Sequence, residues 1–186
     1  MTRAAPYLVM MLACALLALS AAGSASAEDE KMRLLSPAFG DHETIPARYT
    51  CEGADISPPL AWGGVPAGAK SLALVVTDPD APDPRAPRMT WVHWVAHNIP
   101  AGAEELPEGA SGRAMPPGAV EGVNSWKRTG YGGPCPPIGA HRYVFTLYAL
   151  DTALPPAPMT KDQLKDAMNG HVLDKAELIG MYEKQR

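Results

Sequence analysis

Asp78, His93 and His141 are the residues whose types and settings could do chemistry, and each stands among rigid neighbours. Asp78 opens Asp78-Pro79-Asp80-Ala81-Pro82, directly after the apolar run Ser71 to Thr77. Proline has no N–H and fixes φ, so a strand ladder cannot continue through it. A carboxylate is thereby pinned at the rim of a core. His93 and His141 lie in two further strand-like runs, beside Trp91 and Tyr143. One Asp with two His can form an acid–base set, a metal triad or the polar lining of a small-ligand pocket. On pattern alone a hydrogen-bonded core histidine is the commoner reading of each. His97, before Asn98 at a strand end, fits that structural reading best.

Three strands must position these groups. Ser71 to Thr77 leads into Asp78. In Thr90 to Ile99, alternation puts Trp91, His93, Val95 and His97 on one face and Val92, Trp94 and Ala96 on the other. In His141 to Leu150, His141, Tyr143, Phe145 and Leu147 share one face. Arg142 falls on the opposite face, as a structural ion-pair partner rather than an anion ligand. Between Met32 and Pro66, prolines and glycines leave only short extended pieces, and Val120 to Trp126 predicts a short edge strand. Tyr131 to Gly139 is a rigid loop. After Pro158 the period changes: Thr160-Lys161-Asp162-Gln163 has a capping-box shape, and Leu164, Ala167 and Met168 follow at helical spacing. Gly170 ends that helix, and Asp174 to Glu183 predicts a second short one. The fold class is mainly β: an antiparallel β-sandwich with short C-terminal helices.

The first 27 residues predict a cleaved export signal. Arg3 precedes the apolar run Tyr7 to Leu19, and Ser24-Ala25-Ser26-Ala27 offers a small-x-small cleavage site after Ala27. Cys14 leaves lipid anchoring as the alternative, although the apolar run continues past it. The remainder, 28–186, is the size of one domain. The chain has 16 Lys and Arg against 20 Asp and Glu, and loss of Arg3 leaves a net charge of about −5. With no basic stripe, nucleic acid is not the expected partner. The mature chain keeps Cys51 and Cys135, and an exported chain with one such pair predicts one disulfide.

TDPDAP at Thr77 to Pro82, the Trp91-Val92-His93-Trp94 step and GGPCPPIGAHRYVFTLYALD at Gly132 to Asp151 resemble the phosphatidylethanolamine-binding proteins, in their bacterial Raf kinase inhibitor-like branch. The resemblance runs from about Leu34 to Tyr182. It implies two antiparallel sheets with a small anion pocket near one end. Asp78 and Pro82 match its DPDAP element, Trp91 and His93 its aromatic and first histidine. Gly133, Pro134, His141 and Tyr143 match its remaining wall and second histidine. Relatives accept phosphate-like groups there, including phosphoethanolamine head groups, and some members inhibit peptidases.

The expectation is therefore an exported, non-catalytic binding protein for a small phosphate-bearing or other anionic ligand, able to modulate a protein partner as kinase or protease inhibitors do. Histidine N–H groups, with backbone N–H groups around Gly133 and Gly139, would hold the anion, and affinity would weaken from pH 6 to pH 8. Asp78 would orient or charge a histidine, or meet an ammonium, while Asp80 would hold the loop. No cofactor, metal or catalytic residue is expected. A metal-dependent or acid–base enzyme using the Asp/His/His set, and an interaction protein with a vestigial pocket, are the alternatives. A homodimer is compatible with the resemblance, but no stretch marks its interface.

Overall fold

Two sheets and one helix make three layers in the computed structural model, which describes residues 1–2 and 31–185. Apart from Met1 and Thr2, the expected leader, its cleavage site and Cys14 lie outside the described residues. The strands are β1 (Arg33–Leu35), β2 (Glu43–Thr44), β3 (Leu60–Gly63), β4 (Ser71–Asp78), β5 (Trp91–Pro100), β6 (Glu105–Leu106), β7 (Val120–Glu121), β8 (Ala140–Leu150) and β9 (Val172–Glu183), with the helix α1 (Lys161–Ala167) before β9. The larger sheet has the order β2-β9-β8-β4-β5-β7 and the smaller β1-β3-β6. Pairings are antiparallel except that of β2 with β9.

β4 is apolar on both faces because both are covered. Leu72, Leu74 and Val76 pack in the main core with Leu34, Leu60, Trp62 and Leu106 of the smaller sheet. Ala73 and Val75 pack on the opposite face with Leu164 and Met168, from α1 and its C-terminal cap. The capping box forms as its residues predict. Thr160 Oγ1 accepts from the Gln163 N–H at 3.3 Å, and Gln163 Oε1 accepts from the Thr160 N–H at 2.9 Å.

The second predicted helix is instead a strand. From Val172 to Glu183 the chain pairs along the whole length of β8, burying Ala176, Leu178, Gly180 and Tyr182 at alternate positions. Lys, Ala, Glu and Leu give this segment helical propensity, but a long ladder and a buried face outweigh it. The alternation was hard to see because two of the buried positions are Ala and Gly. Val120 to Trp126 also shortens: only Val120–Glu121 is strand, and the remainder folds into a turn around Asn124.

β5 breaks the expected alternation twice. Val76 stands opposite Trp94 and Thr77 opposite Val92, so His93 is the extra residue of a bulge. The His93 ring and Trp94 consequently lie on the same side of the sheet, not on opposite faces: His93 meets Tyr143, which shares the main core with Trp94. A second irregularity, where Asn98 adopts φ 54°, leaves His97 buried beneath the 154–158 loop, its Nε2 donating to the Ala157 carbonyl at 3.1 Å. Its structural placement agrees with the sequence reading.

Candidate functional site

The end of β4 and the starts of β5 and β8 converge at one end of the larger sheet. Asp78, the last residue of β4, pairs with Trp91 across the ladder. Its Oδ1 accepts the Asp80 N–H at 2.8 Å, and its Oδ2 accepts from His141 Nδ1 at 2.7 Å. Asp80 in turn takes the Arg142 backbone N–H at 2.9 Å and two guanidinium N–H groups at 2.9 and 2.6 Å. Those bonds hold its carboxyl below the usual carboxylate range. Successive residues of β8 thus clamp the two carboxylates of one loop, which keeps Asp78 still. Asp80 and Arg142 are structural, as their positions in the sequence suggested.

A cavity of about 430 Å³ opens above Asp78. Buried Asp78, His93 and Tyr143 form its floor, Trp91 and Trp126 its aromatic wall. Ala81, Pro82 and Met89 close one side, and Cys135, Pro136 and Pro137 the other. The rings stand nearly perpendicular to one another: Trp91 to Trp126 at 5.4 Å and 82°, His93 to Trp126 at 5.1 Å and 81°, His93 to Tyr143 at 5.1 Å and 83°. Edge-to-face contacts of this kind fix ring orientation.

His93 is neutral near pH 7. Burial pushes its pKa down to about 4, and the partial compensation comes from the Gly132 carbonyl. Since a carbonyl only accepts, Nδ1 carries the proton in the 2.6 Å contact with Gly132, leaving Nε2 as a lone-pair acceptor. The Tyr143 hydroxyl is buried with no hydrogen-bond partner, and burial together with Asp78 raises its pKa.

Five of the residues singled out from sequence line this cavity together: Asp78, Pro82, Trp91, His93 and Tyr143. Three stand one layer back. His141 is fully buried behind Asp78, with Nε2 directed at the Ile138 carbonyl at 3.0 Å, so both its ring nitrogens are engaged. The Gly133 N–H donates to Asp55 Oδ1 at 2.7 Å, and a Cβ there would meet the Tyr49 carbonyl oxygen at 2.5 Å. Pro134 offers its carbonyl to the Cys51 N–H at 3.1 Å. Of the donors expected for an anion, His93 Nδ1, both His141 ring nitrogens and the Gly133 N–H are engaged within the protein. His93, the histidine on the cavity surface, stays neutral between pH 6 and pH 8, so its charge does not supply the expected pH dependence. Trp126 and Met89 were missed. A tryptophan set in the polar turn Asn124-Ser125-Trp126-Lys127-Arg128 was the available signal, since such a ring has little local reason to be there.

The cysteines are joined. Cys51 and Cys135, 84 residues apart, form a disulfide that ties the 47–55 segment to the cavity wall. Among the described residues, no group of three or more His, Cys, Asp or Glu is arranged to hold a metal ion. The engaged nitrogens of His141 show why Asp78, His93 and His141 do not present three free ligand atoms.

The phosphatidylethanolamine-binding protein family model matches residues 35–183. A UPF0098 protein of Methanothermobacter thermautotrophicus is 51% identical over 156 residues, covering 82% of this chain and 99% of its own. Two crystal structures superpose closely. A PEBP homologue of Chlamydia trachomatis has a TM-score of 0.77 at 44% identity, covering 83% of this chain and 99% of its own. YbcL of E. coli, described as a new member of the mammalian PEBP family, has a TM-score of 0.75 at 34% identity, with the same coverages. Sequence, fold and the convergence of the DPDAP and HRY elements on one cavity agree: the chain belongs to the phosphatidylethanolamine-binding protein family.

Proposed function

We propose that this chain is an exported, non-catalytic binding protein whose cavity holds the polar head of a small ligand, phosphate-bearing ligands included, and whose occupancy modulates a protein partner. One observation carries the reading: on the floor Asp78 is held by the Asp80 N–H and His141, while the Tyr143 hydroxyl and the His93 Nε2 lone pair are bonded to no group of the protein. A general base must reach a proton on the substrate, and a nucleophile needs a base beside it. Here Asp78 is tied to His141, Tyr143 has its pKa raised, and the cavity cysteine is in a disulfide. What remains is a rigid aromatic cavity with a few directed polar atoms, the usual form of a recognition site. The disulfide and the N-terminal leader pattern support export.

Calorimetry with phosphoethanolamine and inorganic phosphate, on the wild type and on Tyr143→Phe and Trp91→Ala, tests this reading. Binding that weakens severalfold or more in both variants is the expected result. Binding indifferent to both substitutions, or turnover of phosphoethanolamine during the titration, would sink it.

A further inference from the structure

A second cavity, of about 220 Å³, lies on the opposite face of the larger sheet, where α1 covers β4 and β8. Asp78 floors the first cavity, and Thr77, the residue before it on β4, lines the second. Leu164 and Met168 dock the helix against Ala73 and Val75. Lys161 and Lys165, one helical turn apart, then stand on the same side of α1, and both line this cavity. The rest of its polar wall is made of hydroxyls, from Thr77, Thr90, Thr146 and Tyr148. None of these four hydroxyls makes a hydrogen bond among the described residues. Thr146 is the sharpest case: it pairs with Val75 in the ladder and is only 7% exposed. A buried hydroxyl without a partner costs free energy, so one that faces a recess points to a polar occupant. The charges are one-sided as well. Among the described residues no carboxylate lines this cavity. Asp162 is exposed, 3.7 Å from Lys161 Nζ, and Asp166 lines an adjoining recess. Lys175, opposite Tyr148 in the ladder, is paired with Glu177 at 3.0 Å. Lys165 has no ion-pair partner among the described residues.

We propose that this cavity is a second binding site, which takes a small tetrahedral oxyanion, free phosphate or the end of a phosphate monoester, between the Lys161 and Lys165 ammonium groups and the hydroxyls of Thr77, Thr90, Thr146 and Tyr148. It is separate from the cavity above Asp78 and does not rest on the binding reading given for that one. Two ammonium groups match a dianion in charge, and lysine serves phosphate as a point charge that needs no fixed geometry. The hydroxyls supply donors from the sheet side while the lysines close from the helix side. A planar carboxylate, with two oxygens and one charge, would leave part of that donor set unused. The lysine stems also lie beside Met168, so the ammonium groups are held at a partly apolar wall where charge-assisted bonds gain strength.

Amide-resolved NMR titration of the full chain with inorganic phosphate, glycerol phosphate and acetate, at fixed ionic strength, tests the site. Phosphate should move the signals of Thr77, Thr146 and Lys165 and bind at least about tenfold more tightly than acetate. The double variant Lys161→Gln, Lys165→Gln should weaken phosphate about tenfold or more, and the near-isosteric Thr146→Val severalfold, the fold of both being checked by circular dichroism. Glycerol phosphate binding as well as phosphate would assign the site to a monoester, and its exclusion would assign it to the free anion. The response at Thr77 and Thr146 should persist in Tyr143→Phe, which alters only the other cavity. Phosphate shifts confined to Trp91, His93 and Trp126 would overturn the second site and leave the reading of the first intact. Binding unchanged by the lysine and threonine substitutions, or no shift at Thr77 and Thr146 with any probe, would also overturn it.

Discussion

His93 and His141 have the same side chain and opposite situations. His93 donates one proton to a carbonyl and is buried among rings, which favours the neutral form; His141 is placed between a carboxylate and a carbonyl, both acceptors. The consequence for His93 can be measured. Its pKa is lowered from 6.5 to about 4 in the folded chain, so the unfolded chain binds the proton first. The contribution to stability is present above about pH 6.5 and is lost as the pH falls toward 4, up to about 3 kcal/mol. Urea denaturation at pH 7 and pH 4.5 should show this loss in the wild type and a smaller one in His93→Asn. An equal loss in both would remove His93 from the account. At this scale the sequence showed which residues converge but not how each is used. Asp78, Trp91, His93 and Tyr143 carried clear signals, while the retreat of His141 and Gly133 from the cavity depends on Ile138 and Asp55, which no spacing points to.

Elements show where local preference is overridden. β9 has a helix-forming composition and is nevertheless the longest strand, because β8 offers it an eleven-residue register partner. Gly180 makes that docking close: a Cβ there would stand 2.5 Å from Ile45 Cγ1 and 2.9 Å from Phe39 Cε2. Gly180→Val should therefore destabilise by about 1–3 kcal/mol, as overpacking does, read as a drop in the denaturation midpoint at unchanged m-value. A midpoint at the wild-type value would mean that the β9 face is not packed this way. The β5 bulge acts in the same manner on function. One extra residue puts His93 and Trp94 on the same side of the sheet, a placement that period-two reading cannot foresee.

Over the whole molecule, the disulfide joins two loops that carry almost no regular structure. The Cys51–Cys135 bond spans 84 residues, and in the chain-entropy model such a loop stabilises by roughly 4–5 kcal/mol. The double variant Cys51→Ser, Cys135→Ser should lose a large part of that in denaturation experiments, and wild-type protein under reductant should match it. A loss below about 1 kcal/mol would show that the remaining ties suffice. These include the Tyr131 hydroxyl on the Tyr49 carbonyl at 2.8 Å and the Gly133 N–H on Asp55.

By itself the sequence determined the sandwich class, the three strands that carry the site, the capped helix and the pairing of Cys51 with Cys135. Each of these rests on short-range order: alternation, a capping box, proline stops, or a count of thiols. Only the tertiary structure decided that Asp174 to Glu183 is a strand, that His93 is an acceptor on the cavity floor and that His141 is a support behind it. Those outcomes turn on contacts between segments far apart in the chain. A ladder partner, a carbonyl from another loop or the loss of water on burial changes what a residue does without changing what it is.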